Sequence, residues 1–226
     1  KWGMRPAEHG PANGTREAVR TAIAGSLRRL GTDRIDHYQL HNPDPSTPIA
    51  ETLAALAELR DEGKVREIGC SNFSAAQLVE AAEVDAGISL ATVQNHYSLL
   101  TRDVETNGVL EACDRYGVGL VPYFPLESGV LTGKYSSTSV DDHPADSRLA
   151  AWGDRAGVFV SDERLAAVSR LSSWAADRGR TVLDVAIAYL TSNRAVAAVI
   201  AGATKAEQVA ANAAAGDWTL TDDERV

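Results

Sequence analysis

The stretch Arg34-Ile-Asp-His-Tyr-Gln-Leu-His-Asn-Pro-Asp-Pro45 decides the fold of this chain. Its segment from Ile35 to Leu40 is rich in β-branched, aromatic and aliphatic residues, and turn-forming residues bound it on both sides, so it predicts a strand. Because a helical pattern precedes this segment and another follows it, we expect the strand to belong to a parallel sheet.

Polar side chains share one face of this strand because side chains alternate with a period of two. They are His37, Gln39 and His41. His41 comes last, where the strand gives way to its loop, and in a (β/α) barrel that end of a strand carries the chemistry. On position alone, His41 is equally well interpreted as a buried, hydrogen-bonded histidine in a packed strand.

Helical and strand patterns alternate along the sequence. The predicted strands are residues 35–41, 65–71, 91–96, 118–123 and 197–201. The predicted helices are residues 15–30, 46–62, 74–83, 103–116, 162–178, 181–191 and 205–214, with another beginning at residue 221. Loops are predicted at residues 4–15 and 124–162. Such βα units make either an open doubly wound sheet or a closed barrel. No GxGxxG follows the first strand, as an open dinucleotide-binding sheet would require, and polar strand ends also favour the barrel.

The composition excludes several classes of protein. The 226 residues are 44% hydrophobic and carry a formal net charge of −9, so no general affinity for nucleic acid or anionic membrane is expected. The two cysteines, Cys70 and Cys113, form no CxxC pair, and neither a disulfide framework nor a metal site is predicted. No apolar run approaches the roughly 20 residues that span a bilayer, and no signal peptide opens the sequence, so we expect a cytoplasmic location.

Five blocks of sequence, in register, resemble those of the aldo-keto reductase family. The first two are Leu27-Arg-Arg-Leu-Gly-Thr-Asp-Arg-Ile-Asp-His-Tyr-Gln-Leu-His41 and Gly63-Lys-Val-Arg-Glu-Ile-Gly-Cys-Ser-Asn-Phe73. The others are Val93-Gln-Asn95, Tyr123-Phe-Pro-Leu126 with Leu131-Thr-Gly-Lys-Tyr135, and Gly202-Ala-Thr-Lys-Ala-Glu-Gln208 with Asn212. The resemblance implies a (β/α)8 TIM barrel, with residues 1–226 in a single domain. It also implies an enzyme that binds NADPH without a Rossmann motif and reduces a small-molecule aldehyde or ketone to an alcohol.

The resemblance implies a catalytic Asp, Tyr, Lys and His. His41 matches the histidine, and Lys1, in Lys-Trp-Gly, matches the lysine at the end of the third barrel strand. The Asp and the Tyr lie earlier in family members. We therefore expect the first two βα units to be absent from this chain, and a polypeptide beginning at Lys1 to be an impaired reductase. An ordinary flexible terminus is the alternative interpretation of Lys1, because without upstream chain nothing would hold it in place.

The implied reaction explains why Lys1 and His41 would be needed beside the catalytic tyrosine. A tyrosine with a pKa of about 10 is a poor acid at neutral pH, and a buried ammonium nearby would lower that pKa. This is the role that the resemblance gives Lys1. A neutral imidazole at His41 would orient the substrate carbonyl and stabilise charge developing on its oxygen.

The resemblance also assigns residues to three parts of the cofactor. Ser71, Asn72 and Gln94 would hold the carboxamide, and Tyr123 would stack on the nicotinamide ring unless it only packs in the core. The residues assigned to the pyrophosphate are Phe124, Leu126, Ser128, Gly129 and Lys134. The 2′-phosphate would lie at the N-terminus of the last helix, where unpaired N–H groups favour anions. The residues there are Gly202, Thr204 and Lys205, with Gln208 and Asn212 within reach of the adenine. The charge of Lys205 would favour NADPH over NADH.

Other conspicuous residues are interpreted as structural, namely His37, His96 and the loop residue His9. Trp152 either lines a substrate pocket or simply packs. A second function remains open, a non-catalytic regulatory module of the same fold that binds cofactor. A phosphate-binding TIM-barrel isomerase or aldolase is a third interpretation, which the cofactor blocks disfavour. The sequence predicts neither the physiological substrate nor the oligomeric state.

Overall fold

The computed structural model describes residues 1–4 and 14–225. Most of the loop predicted at residues 4–15, including His9, lies outside the described residues. Within the described part, the chain forms two compact units.

The first unit comprises Lys1–Asn95 and Asp103–Val121 and contains a parallel sheet. Its helices and strands alternate as the sequence predicts. They are α1 (Arg16–Leu30), β1 (Ile35–Leu40), α2 (Ile49–Asp61), β2 (Val65–Ser71), α3 (Ala75–Glu83), β3 (Leu90–Gln94), α4 (Val109–Tyr116) and β4 (Gly119–Leu120). Each strand pairs in parallel with the next one along the chain, so the sheet has the order β1-β2-β3-β4.

Local sequence signals set the ends of the helices in this unit. The hydroxyl of Thr15 accepts a hydrogen bond from Ala18 N and begins α1, and Gly31 ends the helix in the left-handed conformation. Ser74 begins α3 with a complete capping box to Gln77. Pro48 is the N-cap of α2, two residues after the predicted start of this helix.

The segment Lys1-Trp2-Gly3 is held beside β1. Trp2 N donates to Gln39 O at 3.1 Å, and His41 N donates to Trp2 O at 2.7 Å, which makes a parallel bridge between Trp2 and Leu40. The Trp2 ring is buried and stacks on Tyr38 with 4.5 Å between the ring centroids. The interpretation of Lys1 as a flexible terminus is therefore wrong, because pairing with β1 fixes the residue next to it.

His37 is hydrogen-bonded within the sheet, as predicted. Its Nε2 lies 3.0 Å from the hydroxyl of Thr92, which also accepts a hydrogen bond from Gln39 Nε2 at 3.2 Å. Gly69 makes room for this contact, since a Cβ atom at that position would lie 2.6 Å from Thr92 Oγ1 and 2.7 Å from His37 Nε2.

Three predictions for this region overestimated the regular structure. The strand predicted at residues 91–96 ends at Gln94. The helix predicted at residues 103–116 is broken because Gly108 adopts φ 84°. The strand predicted at residues 118–123 keeps only β4, because Pro122 has no N–H with which to extend the ladder.

The second unit comprises His96–Arg102 and Pro122–Val226 and contains four of the α-helices. They are α5 (Arg148–Trp152), α6 (Asp162–Ala176), α7 (Val182–Thr191) and α8 (Ala206–Ala215). Seven of the ten residues of α7 are buried. The segment predicted as an irregular loop contains α5 and short 3₁₀ turns, and supplies much of the core of this unit. That core includes Val130, Leu131, Tyr135, Leu149, Phe159 and Val160.

Within the described residues, no strand forms at positions 197–201, so that prediction is wrong. Ile200 N donates to Pro122 O at 3.4 Å. Pro122 cannot donate in return, so a parallel ladder cannot continue along this segment. A turn closed by Thr221 and Glu224 stands where a further helix was predicted.

In the ranges that the structure describes, no helix is both long and apolar enough to cross a membrane. The same ranges contain no group of three or more His, Cys, Asp or Glu side chains able to hold a metal ion.

Two glycine substitutions in the intact protein should have effects of opposite sign. Gly69→Ala places a Cβ atom 2.9 Å from the backbone oxygen of Thr92, and we expect it to lower the free energy of unfolding by about 1–3 kcal/mol. In Gly25→Ala, the nearest atom is the flexible end of Arg29 at 3.1 Å, and the gain in helix propensity should raise stability by about 0.5–1 kcal/mol. Urea unfolding of both variants measures the difference, and a Gly69→Ala protein as stable as the wild type would contradict it.

Candidate active site

Polar groups meet at the ends of β2 and β3 in the first unit. Lys1 Nζ donates to Ser71 Oγ at 3.2 Å, and Ser71 Oγ donates to Gln94 O at 2.7 Å. Gln94 O also accepts a hydrogen bond from Asn72 N at 3.1 Å. The parallel register brings these residues together, because Ser71 pairs with Gln94 and Leu40 pairs with Cys70.

Asn72 links this cluster to the end of β1. Its side-chain Nδ2 donates to His41 O at 3.0 Å and to Asn42 Oδ1 at 2.9 Å. Asn72 adopts φ 60°, a left-handed conformation that is uncommon for residues other than glycine. Such conformations persist where the surrounding contacts determine them, and they concentrate at functional sites.

The electrostatics of this cluster keep His41 neutral near pH 7. Desolvation, and then the positive charge of Lys1, lower the pKa of His41 below its ordinary value. Desolvation also lowers the pKa of the Lys1 ammonium to about 8, although the Cys70 thiol acts in the opposite direction. Among the described residues, the His41 imidazole has no hydrogen-bond partner. The cluster therefore offers a neutral imidazole and an amine of lowered pKa to a ligand.

The predicted pyrophosphate residues lie in the second unit, on a tightly turned segment. Phe124, Glu127 and Ser128 adopt φ values of 52°, 46° and 57°. The hydroxyl of Ser128 is buried and has no hydrogen-bond partner in the part of the chain that the structure describes. A Cβ atom on Gly129 would lie 3.0 Å from Lys134 Nζ, so the ammonium lies close over this glycine. No described carboxylate pairs with Lys134. The segment thus presents an unsatisfied hydroxyl and a cation close together, which suits an anionic ligand.

A fully buried carboxylate, Glu127, holds this segment in place. Its Oε1 lies 2.9 Å from His96 Nε2 and accepts a short hydrogen bond from Ser98 Oγ. Its Oε2 accepts from Arg164 Nη1 at 3.0 Å. Burial alone would raise the pKa of Glu127, but the hydrogen bonds from His96 and Ser98 outweigh it and lower the pKa to about 2.

The predicted adenosine residues lie at the start of α8 and are exposed, apart from Asn212. Gln208 Oε1 accepts from Thr204 N at 2.7 Å, so this side chain caps the helix instead of extending freely. Lys205 Nζ lies 3.7 Å from Asp146 Oδ2 in an exposed ion pair. Asn212, the last of these residues, lines a largely apolar cavity of about 300 Å³ between α7 and α8.

A second cation, Arg148, lies beside the predicted 2′-phosphate residues. A Cβ atom on Gly202 would lie 3.3 Å from Arg148 Nη2. The Arg148 guanidinium also lies 6.0 Å from the centroid of the Trp152 ring. Trp152 itself packs against Phe124 and Phe159.

The structure thus separates the predicted residues into groups. Those of the first unit, all close together, are Lys1, His41, Ser71, Asn72 and Gln94. Those of the second unit are Tyr123, Phe124, Leu126, Ser128, Gly129 and Lys134, and at α8 Gly202, Thr204, Lys205, Gln208 and Asn212. Sequence reasoning missed Glu127, Arg164 and Arg148, and it left His96 without a partner. Glu127 lies between the two parts of a matched block, outside the residues that carry the resemblance, and its partners come from distant segments.

Comparison with known proteins decides the family. The profile of the Aldo/keto reductase family matches residues 1–225. The chain belongs to this family. The match and the structural similarity below confirm the predicted α/β fold of the (β/α)8 barrel class.

The chain is similar to several named proteins. It is 36% identical over 208 residues to "Probable voltage-gated potassium channel subunit beta" of Oryza sativa subsp. japonica, covering 90% of this chain and 62% of that protein. It is 35% identical over 213 residues to the "NADH-specific methylglyoxal reductase" of Escherichia coli strain K12, covering 91% and 61%. The solved structure of the glycerol dehydrogenase from Gluconobacter oxydans matches with a TM-score of 0.80 and 29% identity, covering 100% of this chain and 67% of that one. The chain therefore spans about three fifths of the length of these two curated relatives.

Glu127 should stabilise the intact protein at neutral pH and lose this effect in acid. Its folded pKa of about 2 lies below its ordinary value of 4.5, so its contribution is present above about pH 5 and is lost as the pH falls through 2. Glu127→Gln breaks the buried pair with Arg164 and should cost about 3–5 kcal/mol at pH 7. Urea unfolding should show this difference shrinking towards pH 3. The exposed Glu163→Gln is the control, and a Glu127→Gln protein as stable as the wild type at pH 7 would refute the prediction.

Proposed function

We propose that the protein acts as an NADPH-dependent reductase of small-molecule aldehydes or ketones. Membership of the aldo-keto reductase family supports the reaction class, and one relative is named a methylglyoxal reductase. The observation that carries the proposal is the buried hydroxyl of Ser128, which has no partner among the described residues, together with the Lys134 ammonium close over the adjacent Gly129. A buried hydroxyl without a partner is costly unless a ligand satisfies it.

The residues present fit a dinucleotide. Ser128 and Lys134 would hold the pyrophosphate through a hydroxyl and an ammonium, with Gly129, which carries no side chain, next to both of them in the turn. The Gln94 side-chain amide has no hydrogen-bond partner among the described residues, so it is available to a carboxamide. The Ser71 hydroxyl is different, since it already accepts from Lys1 and donates to Gln94 O. Its role towards a carboxamide would be to orient its neighbours.

The residues of this chain have distinct tasks in the proposed reaction. The bound nicotinamide would supply the hydride. His41, neutral because desolvation and Lys1 lower its pKa, would donate a hydrogen bond to the substrate carbonyl. Lys1 would act on a proton donor through its positive charge, and its lowered pKa of about 8 leaves it largely charged at neutral pH. The resemblance assigns proton donation itself to a tyrosine.

Selectivity for NADPH is supported by two cations near the start of α8. Lys205 is one of the residues that the resemblance assigns to the 2′-phosphate, and Arg148 lies beside another of them, Gly202. The helix N-terminus would add its unpaired N–H groups. Asp146 opposes this effect through its ion pair with Lys205. Since one relative carries the name of an NADH-specific enzyme, cofactor preference must be measured for this protein.

A second candidate function is a regulatory module that binds the cofactor without turnover. The similarity to a protein named as a potassium channel subunit beta favours it. One experiment separates the two candidates. The intact protein is titrated with NADPH by fluorescence and then assayed for NADPH oxidation with a panel of aldehydes. Binding with turnover supports the reductase, binding without turnover supports the module, and no binding contradicts both.

Lys205→Ala in the intact protein should reduce selectivity for NADPH. We expect its affinity for NADPH to fall roughly three- to tenfold while the affinity for NADH is unchanged, because an exposed contact already shared with Asp146 contributes modestly. Fluorescence titration with both cofactors measures the ratio. Lys64→Ala, which removes an exposed lysine of the first unit, is the matched control. Equal affinities of the wild type for the two cofactors would reject the idea.

His41→Ala should lower turnover far more than cofactor affinity. Loss of one donor to the developing oxyanion typically reduces kcat by roughly 10²–10³-fold, and the cofactor Kd should stay within about twofold. Steady-state kinetics and cofactor titration give the two values. His37→Gln changes another histidine of the same strand face and should leave turnover near that of the wild type. Unchanged turnover with a much weaker cofactor would assign His41 to binding instead.

A further inference from the structure

His96 and Tyr123 form a stacked pair in the second unit. The imidazole and phenol rings are 5.3 Å apart between centroids and 19° from parallel. Phe124 meets both rings edge-on, 5.5 Å from His96 and 5.4 Å from Tyr123. One face of the Tyr123 ring therefore rests on a flat neighbour, and its edge is supported by a third ring.

Glu127 fixes the orientation of His96. The carboxylate is fully buried, and because its pKa is about 2 it is ionised and can only accept. The hydrogen on His96 Nε2 therefore points at Glu127 Oε1, 2.9 Å away. A hydrogen bond to a buried, charged group holds the plane of the imidazole more firmly than stacking alone would.

Two further hydrogen bonds, from Ser98 and Arg164, hold the Glu127 carboxylate in place. Ser98 donates to the same oxygen as His96, and the Ser98 hydroxyl accepts from Leu100 N at 3.1 Å and Thr101 N at 3.0 Å. Arg164 donates to the other oxygen and reaches Thr101 Oγ1 at 3.3 Å. The network thus anchors residues 123–128, including their left-handed residues, to the segment 96–102 and to α6.

We propose that His96, locked by Glu127, is a positioning residue that fixes the plane of the Tyr123 ring against which the nicotinamide ring stacks. The inference rests on the proposed function, which takes Tyr123 as the stacking partner of the cofactor. Hydride transfer depends on the distance and angle between the reacting carbons, so a tilted Tyr123 ring lowers the rate more than it lowers affinity. Neither His96 nor Glu127 touches the reacting atoms in this account.

Two substitutions in the intact protein separate the ring from the hydrogen bond. His96→Gln keeps a donor for Glu127 but removes the flat ring, and His96→Phe keeps the ring but removes the donor. We expect His96→Gln to lower kcat roughly tenfold or more and to weaken NADPH binding about two- to tenfold. We expect His96→Phe to recover only part of the lost turnover, because its ring can stack on Tyr123 but lacks the hydrogen bond to Glu127 that fixes the plane of the imidazole.

A fragment of the cofactor tests whether the effect is local. Adenosine 2′,5′-bisphosphate carries the adenosine half without nicotinamide, and its Kd should be the same in the wild type and both variants. The urea midpoint is measured for each protein in parallel. Equal weakening of NADPH and of the fragment, together with a lowered midpoint, would show a merely structural role and overturn the proposal.

Other outcomes would contradict either the role of His96 or the proposed function. Unchanged kcat in His96→Gln, or a His96→Phe protein with no more turnover than His96→Gln, would overturn the role of the His96 ring. Wild-type turnover in His96→Phe would overturn the role of the hydrogen bond to Glu127. If the wild type binds neither NADPH nor NADH, the proposed function fails instead. Glu163→Gln, an exposed change next to Arg164 in the chain, should match the wild type in every measurement.

Discussion

The register of the parallel strands is the constraint on which the first unit depends. Leu40 pairs with Trp2 on one side and Cys70 on the other, and Ser71 pairs with Gln94. Backbone hydrogen bonds alone therefore place the carboxyl ends of β1, β2 and β3 side by side at one edge of the sheet. The side chains that follow these pairs, Asn72 above all, then close the cluster by bonding across the strands. A one-residue slip in any pair would send these side chains to the opposite face.

A buried charge has the corresponding role in the second unit. Residues 123–128 contain several backbone conformations that are individually unfavourable, and they follow a proline that interrupts sheet pairing. Glu127 stabilises this shape because its ionised carboxylate collects donors from His96, Ser98 and Arg164. A neutral side chain of the same size would leave Arg164 without its buried counter-charge. The three donors therefore offset the cost of burying the Glu127 charge only when residues 123–128 adopt this conformation.

The sequence predicted what depends on local pattern and missed what depends on distant contacts. Thr15, Ser74 and Gly31 begin or end helices as expected, because caps act within a few residues. The strand predicted at residues 197–201 did not form, since a strand exists only with a partner and Pro122 cannot provide a full ladder. His41 and Lys1 were found through family motifs. Glu127 and Arg164, 37 positions apart, have no shared sequence signal that would reveal their pairing.

The two cations near α8, Arg148 and Lys205, differ in the contacts that they already make and therefore in what binding a phosphate would cost each of them. Arg148 lies over the Trp152 ring and next to Gly202, whose missing side chain leaves space for the guanidinium. An arginine fork held in this way loses little conformational entropy on binding an anion. Lys205 is exposed, and its ion pair with Asp146 must break before its full positive charge can act on a phosphate. The preference for a phosphate at this end of α8 therefore depends on three side chains together. Arg148 and Lys205 attract the phosphate, and the carboxylate of Asp146 opposes it.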